Sequence, residues 1–462
     1  MTAYAPISPR AARWALIATI MGSSIAFIDG TVVNVALPAI QRDLGGGLAA
    51  QQWIADAYLL TLGSLILVGG SLGDIFGEVR MFTLGVVLFG LASALCAAAP
   101  DSTTLIVFRG IQGIAGALLT PASLAVLTST FSGAERGAAI GTWTAWSGIS
   151  TVVGPLLGGW LIGISSWRVI FLINIPLAIA TIVLVRLHVP PRASGRKQVK
   201  VDLVGAAFCV VGLGALVFGF IEQPRLGWGN AGVPAAIAGG LACIVAFVFY
   251  ESRTAMPMLP LRLFARRNFS VTNVETFLVY GGLSAWGFFL TLFLQQLSGY
   301  SPFRAGLALI PLTIGLFVLS RIVGRLSMRY GPRFFMAAGP LLGGVSILAL
   351  VRLPEHLSYW RDLFPPLVGF AVALALTVAP LTTTVLSDAG PGDAGIASGV
   401  NNAVARVAGL VAIAAIGIVA AGGTDHLSAH GFHRAMLVVA VLLTLGGVLG
   451  AVGIENRRAP AA

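Results

Sequence analysis

Fourteen apolar runs, each long enough to cross a bilayer, follow one another along this 462-residue chain. About 20 apolar residues in a helix span the hydrocarbon core, where every backbone N–H and C=O must find its partner inside the segment. The first six runs lie near 14–38, 51–73, 80–99, 103–127, 139–163 and 169–188. Two more lie near 201–221 and 231–250, and the last six near 268–296, 304–326, 334–352, 363–386, 395–421 and 432–454. Only 10% of residues are charged, and nearly all of these fall between runs. A soluble domain of this length could not bury the remaining apolar surface, so the expected class is an all-α polytopic membrane protein.

The basic residues set the expected orientation. Of the 28 Lys and Arg, nineteen fall on the side that carries the N-terminus and seven on the other, while Arg109 and Arg406 stay within spans. The positive-inside rule then places both termini in the cytoplasm, with the chain in the cell membrane. The basic residues form no single patch, so nucleic acid is not an expected partner. Arg10 and Arg13 precede the first run in the manner of a signal peptide, but that run is too long and contains Asp29, and it reads as a retained helix. Cys96, Cys209 and Cys243 fall in separate runs and read as small core residues.

Residues 1–188 are expected to form an N-terminal six-helix bundle, 189–200 a cytoplasmic linker rich in Pro, Gly and charge, 201–250 two inserted helices, and 251–462 a C-terminal six-helix bundle. A weak repeat supports the division. Gly70 to Arg80 after the second span and Gly324 to Arg333 after the tenth share the pattern Gly-x-Leu-small-x-x-aromatic-Gly. Parallel halves around a midplane site are a common transporter design.

Charged residues inside spans are the sites to explain, because each costs roughly 3 kcal/mol on insertion scales. Asp29 lies just outside the midplane of the first span, and Asp56 and Arg109 lie in the same half of the membrane. A carboxylate and a guanidinium at one depth can neutralise each other. The competing reading is a fixed pair that only locks helices. Pro38 leaves the carbonyl of Asn34 without its helical donor, near Asp29. Arg109, Gln112, Gly113, Gly116 and Thr120 share one helical face. In the fifth span, Gly141, Ala145, Gly148, Val152, Pro155 and Gly159 form a small-residue stripe that could serve as a rocking contact or as static packing. Glu275 with Trp286, and Asn402 with Arg406, are candidate cavity lining in the C-terminal part. Asp74 and Arg80 on the inner loop after the second span suit a conformational latch. His426, His430 and His433 with Asp425 read as a solvated loop rather than a metal site. No Gly-x-x-x-x-Gly-Lys-Ser/Thr, Gly-x-Ser-x-Gly or His-Glu-x-x-His motif is present, so neither nucleotide hydrolysis nor enzymatic chemistry is expected.

The stretch Asp29 to Pro38, the loop Gly70 to Arg80, Leu105 to Gly113, Gly148 to Gly159 with Gly154, Pro155 and Gly158, and Trp167 to Pro176 together resemble the fourteen-helix drug:proton antiporters of the major facilitator superfamily. Ile75, Glu78 and Val79 depart from the usual basic residues of the loop motif. The resemblance implies two six-helix bundles plus two extra helices, and proton-driven export of small lipophilic or cationic compounds by a monomer. It implies no cofactor beyond the proton gradient. Asp29 would carry the proton and Arg109 would tune it. Asp56 and Glu275 could meet a cationic substrate, with Trp143, Trp146 and Trp286 as aromatic surface. Uptake of a metabolite, or a non-transporting sensor, are the alternatives.

Overall fold

The computed structural model describes residues 9–189, 201–389, 393–421 and 426–456. Residues 190–200 of the expected linker, and Asp425, lie outside that set. Fourteen helices among the described residues are long and apolar enough to cross a membrane. They are α1 (Pro9–Leu44), α2 (Gly47–Phe76), α3 (Glu78–Ala98), α4 (Ser102–Thr130), α5 (Glu135–Ile164), α6 (Val169–His188) and α7 (Leu203–Leu226). The rest are α8 (Gly232–Arg253), α9 (Arg267–Leu297), α10 (Pro302–Tyr330), α11 (Pro332–Arg352), α12 (Tyr359–Ala389), α13 (Gly395–Ala421) and α14 (Ala429–Gly453). With an even number of crossings, α1 begins and α14 ends on the same side, called here the terminal face.

Two six-helix bundles form with matching internal contacts. In the first, α2 packs on α4, α3 on α4 and α6, and α1 on α5 and α6. In the second, α10 packs on α12, α11 on α12 and α14, and α9 on α13 and α14. The repeat is visible in the backbone as well. Gly77 after α2 and Gly331 after α10 adopt positive φ of 95° and 86°, and each amide donates at 2.9 Å to the carbonyl four residues back. A side chain is strained in that conformation, which is why both motif copies end in glycine. The extra pair stands apart: α8 packs on α7, and α7 packs on α2 and α13.

The bundles meet along two main seams, α2 with α13 and α5 with α10, and α1 also touches α9. The α2–α13 seam is long. It joins Gln52 Nε2 to the Ile413 carbonyl at 2.7 Å near the far face and Leu67 to Gly399 near the terminal face. The α5–α10 seam is confined to the far face, where a Cβ on Gly159 would lie 2.6 Å from Phe303 Cα and one on Gly306 2.8 Å from the Pro155 carbonyl. Toward the terminal face, Cβ atoms added at Gly141 and Gly148 would meet no atom of a neighbouring element within 4 Å. The stripe expected along α5 therefore divides. Its far half is a contact, and its terminal half borders open space.

Candidate functional site

Asp29 and Arg109 form the centre of a polar node buried in the first bundle. Arg109 Nη1 donates to Asp29 Oδ2 at 2.5 Å, and the two side chains are 2% and 0% exposed. The second carboxylate oxygen accepts from Gln112 Nε2 at 2.9 Å and from Asn174 Nδ2 at 3.1 Å. Ser93 Oγ of α3 accepts from the same two amides at 2.8 and 3.2 Å. Arg109 also donates through Nη1 to Gln112 Oε1 at 2.6 Å and through Nε to the Ile54 carbonyl at 3.2 Å. Its guanidinium carbon lies 4.4 Å from the ring centre of Tyr58. Residues of five helices thus meet in one node, with α4 and α6 donating directly to the α1 carboxylate, and the i, i+3 spacing of Arg109 and Gln112 on α4 aims both at α1. Both charges are compensated by charge-assisted hydrogen bonds away from water, which is what allows them inside a bundle.

Other candidates fall elsewhere. Asp56 and Glu275 are 0% exposed, and Trp286 is 3% exposed, so the structure buries all three in packing rather than in a cavity wall. Neither oxygen of Asp56 or Glu275 has a hydrogen-bond partner among the described residues. Asp56 lies one turn from Gln52 and two from Gly63, on the α2 face that meets α13. Glu275 Oε2 sits against Gly450 of α14, and Trp286 stacks obliquely on Phe370 at 4.8 Å. At the Pro38 turn, the carbonyl that gains a side-chain partner is that of Val35 rather than Asn34, from Gln295 Nε2 at 3.0 Å. Asn34 is partly buried.

Phe27, Trp143 and Arg406 come together where the bundles meet, the Arg406 guanidinium carbon lying 5.9 Å from the Phe27 ring centre, and Trp146 and Asn402 lie one turn away on α5 and α13. Trp143 Nε1 donates to Ser23 Oγ at 2.9 Å and meets Phe27 edge-on at 6.2 Å, while Trp146 is 50% exposed. Asn402 is exposed and donates to the Ser398 carbonyl at 3.0 Å. Asp74 and Arg80 are exposed at the terminal face on either side of the Gly77 turn. Gly154 and Gly158 carry α5 over α1, where added Cβ atoms would collide with Thr31 and Val32.

A clasp of side-chain hydrogen bonds joins the bundles at the far face. Gln296 Nε2 donates to Gln41 Oε1 at 2.9 Å, and Gln41 Nε2 lies 3.4 Å from His426 Nδ1. A cavity of about 810 Å³ opens outside this clasp. His433 instead bonds the Leu353 carbonyl at 2.9 Å, so it and His426 engage different helices. Beside the clasp, Asp43 accepts from Trp167 Nε1 at 2.9 Å and from Arg168 Nη1 at 2.5 Å. Asp43 carries no distinctive signal in the sequence, because it lies in the last turn of a helix, where charge is unremarkable.

Two bundles of matched topology, with two added helices and a charge buried in the first, bear directly on ancestry. The sequence profile of the Major Facilitator Superfamily matches residues 19–413. The chain belongs to the Major Facilitator Superfamily. Among superfamily members, it is 35% identical to the puromycin resistance protein pur8 of Streptomyces alboniger, covering 96% of this chain and 92% of that one. It is 34% identical to the methylenomycin A resistance protein of Streptomyces coelicolor, covering 92% and 89%. The cephamycin export protein CmcT of Amycolatopsis lactamdurans is also 34% identical, covering 93% and 92%. Solved structures share the superfamily fold at low identity. A bacterial homolog of the human lysosomal transporter Spinster, inward-facing and unoccupied, matches with TM-score 0.70 at 17% identity over 98% of this chain and 100% of that one. A D-xylose-proton symporter matches with TM-score 0.67 at 13% identity over 96% and 98%. The protein is thus a multi-pass membrane transporter of small molecules.

Proposed function

We propose that this transporter exports small amphipathic compounds in exchange for protons by alternating access, as a monomer in the cell membrane with the terminal face in the cytoplasm. The observation that carries the reading is the buried node around Asp29. A carboxylate held by one guanidinium and two amides has two chemically distinct states, ionised and paired, or protonated with the pairing loosened. The change would act on α1 against α4 and α6. α1 carries α5 through Gly154 and Gly158, and α5 makes the far-face contact with α10. A proton arriving from outside would thereby loosen the closed face. The resistance and export proteins to which the chain is similar support the outward direction. No cofactor is needed, because the proton gradient supplies the energy. Asp56, unpartnered in the α2–α13 seam, is the second carboxyl that could share the proton.

The test is transport by purified protein in proteoliposomes under an imposed proton gradient. Asp29→Asn is expected to fold and to lose gradient-driven flux. Undiminished flux in that variant would remove Asp29 from the mechanism, and net uptake along the proton gradient would replace export with symport.

A further inference from the structure

The boundary between the bundles holds a guanidinium with no counter-ion among the described residues. Arg406 sits on α13 eleven residues from Gly395, about 17 Å along the helix and well inside the span. It is partly exposed and makes no hydrogen bond or ion pair with any described residue. A Cβ on Gly63 would lie 3.2 Å from the Arg406 Cβ, so α2 approaches the base of this side chain closely. Its guanidinium carbon reaches to 5.9 Å from the ring centre of Phe27, across the bundle boundary. Trp143 meets that ring, and Trp146 stands exposed three residues further along α5.

The acids that could neutralise this cation are occupied or turned away. Asp29 is held by Arg109, and Asp56 and Glu275 are fully buried in helix seams. More positive charge lines the same half of the molecule: Arg321 and Arg325 of α10 are exposed, the former nine residues from Tyr330, about 13 Å from the helix end. A cation left unpaired at this depth is costly, and an anion with an apolar body would complete both its charge and the neighbouring rings.

Resting on the export reading above, we propose that Arg406 is the substrate-recognising cation of the central cavity and that the cargo is an amphipathic organic anion, a carboxylate or sulfonate on an aromatic or aliphatic body. This reverses the cationic preference suggested by the sequence, because the carboxylates on which that preference rested do not reach the cavity.

Binding and flux of radiolabelled 2-naphthoate, 2-naphthylmethylammonium and the neutral 2-naphthalenemethanol separate the possibilities. Wild-type protein in nanodiscs is expected to bind naphthoate at least tenfold more tightly than the ammonium probe. Arg406→Lys should keep most of that preference, Arg406→Gln should abolish it, and Arg406→Glu should invert it, with each variant's thermal unfolding checked against wild type. Tighter binding of the ammonium probe, no binding of naphthoate, or an unchanged preference in Arg406→Gln overturns the proposal. Flux in proteoliposomes tests the underlying reading separately. Arg406-dependent naphthoate binding without proton-driven flux would overturn export and leave the anion site standing, whereas proton-driven flux of the ammonium probe would leave export standing without it.

Discussion

At the scale of single residues, the buried node sets the sharpest expectations. Removing one member of a buried ion pair leaves the other charge uncompensated, typically at a cost of about 3–5 kcal/mol. Arg109→Leu is therefore expected to lower the thermal unfolding temperature strongly, because Asp29 keeps only its two amide donors. Asp29→Asn also leaves Arg109 without its counter-charge and should melt below wild type, but by less, since its one amide oxygen still accepts from the guanidinium and its shape is unchanged. Unfolding followed in detergent by intrinsic fluorescence distinguishes them, and equal melting of the two variants would contradict the pairing. Asp29 and Arg109 were legible in the sequence as charges inside apolar runs, and depth alone matched them. Ser93 was not, because a small hydroxyl in a helix can satisfy itself on its own backbone. Asn174 stood out only within the motif at the start of α6, and its aim at Asp29 depends on how α6 lies against α1.

At the scale of elements, α5 is two helices in one. Its far half is interlocked with α1 and α10, and its terminal half borders the cavity. A valine at Gly158 would drive a branched side chain into Val32, and overpacking of this kind costs about 1–3 kcal/mol. The same change at Gly148 meets open space. We expect Gly158→Val to reduce folded yield and melting temperature and Gly148→Val to leave both unchanged, as read by size-exclusion profile and thermal unfolding. Gly159→Val should act differently, because its neighbours Pro302 and Phe303 belong to the other bundle. That variant is expected to fold but to favour the state open at the far face, raising maleimide labelling of a cysteine placed at Tyr300, beside the clasp. Labelling equal to that of the parent would show that the contact does not restrain the opening.

At the scale of the molecule, the two bundles repeat each other's contacts, yet their two shared seams differ in length. That asymmetry gives the structure its open terminal side and closed far side. The clasp of Gln41, Gln296 and His426 is made of side-chain hydrogen bonds, which exchange readily with water and add only about 0.5–1.5 kcal/mol each. Such a closure can open repeatedly. With Cys96, Cys209 and Cys243 replaced, a disulfide between cysteines at positions 41 and 296 is expected to arrest transport, and reduction should restore it. Continued transport by the oxidised form would mean that the far face need not part. The membrane potential acts at this scale too, at about 2.3 kcal/mol per charge per 100 mV, so export of an anion against inward protons should accelerate when the interior is made negative. A potassium diffusion potential measures this, and slower export under it would contradict the anionic cargo.

The sequence by itself determined the membrane class, the fourteen crossings, the repeated halves and the pair of charges at one depth. All of these follow from local quantities: run length, residue type and rise per residue. Only the tertiary structure decided where each polar side chain points. A helix buried on several sides carries no strong amphipathic signal, so periodicity could not tell the bundle interior around Asp29 from the seam around Asp56 or the cavity around Arg406. Those three environments arise from contacts between helices far apart in the chain, and they separate a compensated pair, an unpartnered acid and an unpartnered cation that look alike as single charges in apolar runs.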